Sequence, residues 1–335
     1  MFENVDTAVI WFGIIGLGVL IYVILDGFDL GIGILLPFIK KSDERDAMMN
    51  TVAPVWDGNE TWMVLGGAGL YAAFPVVYAS VLSALYMPIT LMAIALIFRG
   101  VAFEFRFKAN RTKGFWDQAF IWGSILASFL QGAILGAVIQ GIETTNGIFS
   151  GNTFDWLSPF SLFVGFSVVV MYAVLGCSWL VMKHEGELQQ KLSALMSPLL
   201  MLLVAIFIGV AWFTPMINEH IQHRWTDNLV YMLIIGLLCL AVFTLIWKTS
   251  QKQRDVAPFV YTLLLVALAF VGFVLSLFPY IVPPAMDIWQ ASAPKTSQIF
   301  ALVGALIFIP IILAYTLLSY WVFRDKVKVG DEGYH

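Results

Sequence analysis

The chain is predicted to be an all-α integral membrane protein, on three observations. Of its 335 residues 60% are hydrophobic and only 12% charged, with mean hydropathy +0.86, which leaves too little polar surface to cover a soluble globule. Nine apolar runs reach the roughly 20 residues that a helix needs to cross a bilayer. Lysine and arginine fall almost entirely in alternate loops, the asymmetry that sets orientation in a membrane.

Helix is the spanning form because every backbone group in lipid must be paired within its own segment, and the alternation of a barrel strand is absent. The first span, 8–39, is long enough to imply tilt or an extension beyond the hydrocarbon. Span two, 53–73, opens on a polar head, and span three, 78–104, contains Pro88, which should kink it. Spans four to eight follow at 117–142, 159–182, 195–214, 227–247 and 257–279. The ninth, 297–323, should bend at Pro310. Pro75, Pro198, Pro215, Pro279, Pro283 and Pro284 read as punctuation of span ends. Residues 1–335 thus form a single transmembrane domain.

The loops after spans one, three, five and seven, with the C-terminal tail, hold 15 of the 18 basic residues: Lys40, Lys41, Arg45; Arg106, Lys108, Arg111, Lys113; Lys183, Lys191; Lys248, Lys252, Arg254; and Arg324, Lys326, Lys328. The opposite loops hold only Arg224 and Lys295, and Arg99 falls inside a span. This alternation predicts nine spans with a periplasmic N-terminus and a cytoplasmic C-terminus. Met1–Asp6 is acidic where a signal peptide would be positive, so no cleavable leader is expected. The scattered basic residues form no patch for nucleic acid, and Cys177 and Cys239 read as small buried hydrophobes.

Against that background four carboxylates stand at membrane depth: Asp26 and Asp29 in span one, Asp57 and Glu60 at the head of span two. An ionisable group there costs several kcal/mol and faces a protein interior or a watery path. Each pair is spaced i,i+3, on one helix face. Orientation puts both pairs, with Arg99 and Glu104 of span three, in the cytoplasmic half, where one cleft could hold all six. Three readings stay open at this point: a proton uptake path, an ionic network pinning three helices, or a hard-cation site.

Other positions carry weaker signals. Gly27, Gly31 and Gly33, and Gly66, Gly67 and Gly69, have the spacing of close helix packing. Trp56 and Trp62 flank the second acidic pair and read as interfacial anchors, with contact to a quinone or lipid headgroup as the alternative. The four histidines, His184, His220, His223 and His335, all fall outside the spans. Membrane haems hang mainly from helix histidines, so this chain is expected to ligate neither haem nor metal, and any electron chemistry would belong to another subunit.

Three stretches carry a resemblance: Leu25-Asp26-Gly27-Phe28-Asp29-Leu30-Gly31-Ile32-Gly33, Ala53-Pro54-Val55-Trp56-Asp57-Gly58-Asn59-Glu60-Thr61-Trp62 and Phe98-Arg99-Gly100-Val101-Ala102-Phe103-Glu104-Phe105-Arg106. In this order they are similar to subunit II of the cytochrome bd-type quinol oxidases, including the cyanide-insensitive branch. The resemblance implies two helical bundles plus an extra helix, in a complex of the bacterial cytoplasmic membrane. Subunit I would hold low-spin haem b, high-spin haem b and haem d and oxidise quinol; subunit II would ligate none. A small third subunit, bound lipid and a structural quinone within subunit II are further implied partners. Carried over by position, Asp57 matches the acid of a proton pathway toward those haems. Asp26, Asp29 and Glu60 match acids that line the path or pin helices, and Arg99 and Glu104 match its electrostatic support.

The rival class is a stand-alone proton- or sodium-coupled transporter. It predicts inverted repeats and broken helices near the midplane, and no convincing repeat is visible.

Overall fold

The structure, a computed structural model, describes residues 6–109, 111–145, 147–252 and 254–330. Met1–Val5 and His335, read above from sequence, lie outside the described residues. Eleven α-helices run in order: α1 Thr7–Leu35 with a 3-10 turn at Leu36–Phe38, α2 Ser42–Asn50, α3 Trp56–Ala73, α4 Pro75–Lys108, α5 Lys113–Gln140, α6 Pro159–Lys183, α7 Gly186–Ile217, α8 Glu219–Asp227, α9 Leu229–Gln251, α10 Ala257–Leu277 and α11 Lys295–Val322. Two short antiparallel hairpins, Thr144–Thr145 with Ile148–Phe149 and Tyr280–Val282 with Met286–Asp287, lie in the loops after α5 and α10.

Eight of these helices, all but α2, α3 and α8, are long and apolar enough to cross a membrane. The second predicted span corresponds to α3, which has 18 residues and spends its first turns on Trp56-Asp57-Gly58-Asn59-Glu60-Thr61. Its polar head leaves too short an apolar stretch to qualify by composition. Two loops hold helices that hydropathy does not reveal, α2 and α8, because both are charged and short.

Local sequence explains the ends. Asp6 caps α1 by accepting from the Ala8 and Val9 amides, and Ser158 caps α6 with Pro159 at the first helical position. Pro88 interrupts α4 as anticipated: Leu85, three residues earlier, leaves helical geometry at φ −114°, ψ 16°. Pro198 and Pro215, read as end markers, instead lie inside α7. That helix starts earlier than hydropathy indicates because Leu188, Leu192 and Met196 continue its buried stripe through charged turns.

In lipid, helices gain little from burying apolar surface, so packing depends on close van der Waals approach and polar contacts. The centre of the bundle follows that rule. A Cβ on Gly31 of α1 would overlap the Tyr172 carbonyl and stand 2.9 Å from the Gly176 Cα, so α1 and α6 cross with their backbones in contact. Gly33 admits Ser124 of α5, and Gly132 and Gly136 of α5 admit the backbone of α6 at Gly165 and Ser161. α1, α5 and α6 thereby form the inner layer, and α4 packs on α5. α11 buries almost nothing, with Phe300 84% and Leu317 70% exposed in this single chain. The inner layer fixes α1, and with it Asp26 and Asp29.

Candidate functional site

Asp26 and Asp29 sit one turn apart on α1 and are 1% and 0% exposed. Arg99, on α4 and equally buried, reaches across to both. Its Nη1 donates to Asp26 Oδ1 at 2.9 Å and to Glu60 Oε1 of α3 at 2.7 Å, while Nη2 stands 3.5 Å from Asp29 Oδ2. Three carboxylates thus surround one guanidinium, and of the three only Glu60 is open, with about a quarter of its side chain exposed.

Neutral groups add to the shell, which still leaves Asp26 Oδ2, Asp29 Oδ1 and Arg99 Nε without a hydrogen-bond partner among the described residues. Asn59 of α3 donates to Asp29 Oδ2 at 2.7 Å and accepts from the Tyr320 hydroxyl of α11 at 2.8 Å. Trp56 stacks on Phe103 with ring centroids 5.3 Å apart, and both rings lie about 6 Å from the Arg99 guanidinium. On the far side the Tyr172 hydroxyl donates to Gln131 Oε1 and Gln131 Nε2 donates to the Tyr22 hydroxyl, each at 2.7 Å. Tyr22 precedes Asp26 by one turn of α1, and Asp26 Oδ2 is buried with no hydrogen-bond partner among the described residues.

The six ionisable residues grouped from sequence therefore separate. Asp26, Asp29, Glu60 and Arg99 come together. Asp57 does not join them: at the first turn of α3 it points to the surface of the chain. Glu104 is also outside, because five residues carry it about 140° round α4 from Arg99. It is 64% exposed and, among the described residues, its ion pair is with Lys108 at 3.6 Å and not with the cluster. Trp62, read as an interfacial anchor, is 1% exposed, and its Nε1 has no hydrogen-bond partner among the described residues. It borders an apolar groove of about 160 Å³ with Leu17 of α1 and Leu306 and Pro310 of α11, which Trp56 does not line.

A second ionic network was not anticipated. Arg106 is fully buried at the end of α4 and bonds Asp117 of α5 and, at 2.5 Å, Asp46 of α2. Arg45 donates to Asp117 at 2.8 Å and Lys113 to Asp46 at 2.7 Å. The sequence does carry a signal for it: Arg106 follows Arg99 by seven residues, two turns on the same face of α4. Nearby the tail folds back, with the Val327 amide donating to the Lys183 carbonyl at 2.9 Å and His184 Nδ1 donating to the Val327 carbonyl at 2.9 Å. Burial pushes the His184 imidazole down to about 4.

His184, His220 and His223 lie outside the long helices, and no group of three or more potential ligands gathers among the described residues. What the cluster offers chemically is proton exchange, or a rigid ionic tie between α1, α3 and α4.

Comparison with known proteins narrows this further. The family model described as cytochrome bd terminal oxidase subunit II matches residues 7–323. Over 363 aligned residues the chain is 28% identical to cytochrome bd-I ubiquinol oxidase subunit 2 of Escherichia coli (strain K12), covering 96% of this chain and 95% of that one. It is 26% identical to cytochrome bd ubiquinol oxidase subunit 2 of Bacillus subtilis (strain 168) over 331 residues, covering 95% and 96%. Its fold matches a chain in the structure of bd oxidase from Geobacillus thermodenitrificans with a TM-score of 0.78 at 17% identity, over 96% of this chain and 99% of that chain. With nearly its whole length matched, the chain belongs to the cytochrome bd terminal oxidase subunit II family.

Proposed function

We propose that this chain is the haem-free subunit II of a bd-type quinol:O2 oxidoreductase, a terminal oxidase of aerobic respiration in the bacterial cytoplasmic membrane, where it supports assembly and takes up protons from the cytoplasm. The carrying observation is the Arg99 cluster: three carboxylates of α1 and α3 around one buried cation, with Glu60 reaching the surface. So many ionisable groups at membrane depth are costly to keep for packing alone.

In this reading α3 is the ninth span, its polar head covered by α1 and α4, and the basic loops place the N-terminus outside and the C-terminus inside. Asp57, exposed beside Glu60, lies where a partner surface or a water file would meet the cluster. Arg99 holds the acids close enough to share protons, and Glu60 connects them to the outside. The haems of subunit I, low-spin b, high-spin b and d, would supply electron transfer and oxygen chemistry. A structural quinone would occupy the apolar groove beside Trp62, whose ring Nε1 is a buried donor with no hydrogen-bond partner among the described residues. Lipid and a small third subunit are the remaining proposed partners. The transporter reading is disfavoured because the family match runs through residues 7–323.

The test uses the intact complex purified mildly from membranes. Asp57→Asn and Glu60→Gln are expected to slow quinol-driven oxygen consumption at least tenfold while the reduced-minus-oxidised haem spectrum is unchanged. Normal turnover in both variants would remove the proton role.

A further inference from the structure

Asn59 joins the acid cluster to α11. Its side chain is buried, with Nδ2 donating to Asp29 Oδ2 at 2.7 Å and Oδ1 accepting from the Tyr320 hydroxyl at 2.8 Å. A primary amide has donors at one end and an acceptor at the other, and a half turn about its last torsion exchanges them. That half turn would set Oδ1 against Asp29 Oδ2, oxygen facing oxygen, and would take a donor away from a buried carboxylate. What opposes it is a donor fixed on Oδ1, and Tyr320 supplies that donor.

The hydroxyl is held in place by its ring. Tyr320 meets Phe28 of α1 and Trp179 of α6 edge-on, with centroids 6.2 and 6.0 Å away, and Phe28 and Trp179 stack on each other at 4.5 Å. Trp179 Nε1 donates to Thr51 Oγ1 at 3.1 Å, which anchors the indole. Just past the end of α11 the Phe323 carbonyl accepts from Lys183 Nζ, which fixes the helix end three residues beyond Tyr320. These contacts position the ring with or without its oxygen, so the hydroxyl is left with Asn59 as its task.

Asp29 has one oxygen committed and one open. Oδ2 takes Asn59 and lies 3.5 Å from Arg99 Nη2, whereas Oδ1 is buried with no hydrogen-bond partner among the described residues. Asp26 shows the same division, with Oδ1 on Arg99 and Oδ2 unpartnered, so what distinguishes Asp29 is the amide. With Asn59 held on Oδ2, Oδ1 is the oxygen of Asp29 left to take and release a proton.

We propose that Tyr320 is a positioning residue of the proton path, acting through Asn59: it holds the amide so that Nδ2 stays on Asp29 Oδ2 and leaves Oδ1 for exchange. The assignment rests on the proton-uptake reading above. It adds to that path a residue of the last helix, outside the three segments that supply the acids and Arg99.

The test is Tyr320→Phe in the intact oxidase purified mildly from membranes, which keeps the ring and removes one oxygen. Maximal quinol-driven oxygen consumption is expected to fall about three- to tenfold, the worth of one hydrogen bond, with KM for quinol and the haem spectrum unchanged. The pH profile of turnover is expected to be displaced, because the ionised form of Asp29 has lost a fixed donor. The other charged groups facing Asp29 are Asp26 of α1, Glu60 of α3 and Arg99 of α4, with Tyr22 of α1 and Tyr172 of α6 on the far side of Asp26, and the substitution removes none of them. Asn59→Leu, or the smaller Asn59→Ala, should slow turnover at least as much, and adding Tyr320→Phe should slow it no further, because Tyr320 acts only through the amide. A Tyr320→Phe oxidase with wild-type rate and pH profile would overturn the proposal. So would effects that multiply in the double variant, or loss of haem or assembly in Tyr320→Phe, which would make the bond a structural tie of α11. Normal turnover in Asp57→Asn and Glu60→Gln defeats the uptake reading itself; slowed turnover there with an unaltered Tyr320→Phe defeats only this assignment.

Discussion

Gly31 and Gly176 meet backbone to backbone where α1 crosses α6: a Cβ built on Gly176 would stand 2.7 Å from the Gly31 Cα. Neither side can yield, because the obstructing atoms are main chain. The same crossing sets the height of Asp26 and Asp29 against Arg99. Gly31→Ala or Gly176→Ala is expected to destabilise by at least about 1–3 kcal/mol, the usual cost of overpacking. Gly67→Ala, with nothing within 4 Å, is expected to be neutral. Thermal unfolding of the purified complex, followed by haem absorbance, separates the two outcomes; equal midpoints would contradict the crossing.

Removing Arg99 leaves three carboxylates around an empty position. Breaking a buried ion pair from one side costs on the order of 3–5 kcal/mol, because the remaining charge is stranded. Arg99→Leu is therefore expected to abolish or sharply reduce accumulation of the complex. Adding Asp26→Asn and Asp29→Asn to Arg99→Leu should restore part of the yield, since the uncompensated charges go with them. Membrane yield by immunoblot tests this, and an Arg99→Leu chain at wild-type level would show that the cluster contributes little to assembly.

Much of this was legible in sequence for a physical reason. Bilayer spanning imposes length and hydropathy on each helix, so the long helices fall close to their predicted places; in lipid even a single charge is conspicuous, and Asp26, Asp29, Glu60 and Arg99 were visible at once. The errors come from rotation about helix axes, which hydropathy does not record. Glu104 and Asp57 share segments with cluster members yet face away, and Trp62 is buried where its type suggested an interface. Tyr22, Gln131 and Tyr172 were invisible because neutral polar residues in an apolar run carry no charge signal and their meeting depends on three helices at once. The Arg106 network was missed because α2, which supplies Asp46, is too short and polar to register.

The position of Glu104 gives a direct check on the geometry. Its partner Lys108 is one turn away on an exposed face, a pair worth about 0.3–0.5 kcal/mol at best. Glu104→Gln is expected to leave stability and quinol-driven turnover unchanged, in contrast to Glu60→Gln. A tenfold loss of turnover in Glu104→Gln would place this residue in the path through a contact that the single chain does not contain.

His184 makes the tail's attachment dependent on pH. Its Nδ1 donates to the Val327 carbonyl, and its Nε2 is buried without a partner among the described residues. Burial first, and the neighbouring Lys183 charge last, hold the imidazole at about 4, against an ordinary value of 6.5. The folded state therefore binds fewer protons than the unfolded state between these two values, and stability falls as pH falls through that window. Above about 6.5 both states are neutral and the contribution is complete; below about 4 the loss levels off at about 3 kcal/mol. The expected result is release of residues 323–330 from the ends of α6 and α7 near pH 5, seen as faster proteolysis of the tail and a lower unfolding midpoint. His184→Gln, which keeps a donor for Val327 but cannot titrate, should flatten both dependences. An unaltered pH response in that variant would assign the effect to the ion pairs of Lys326 with Glu185 and Asp255 instead.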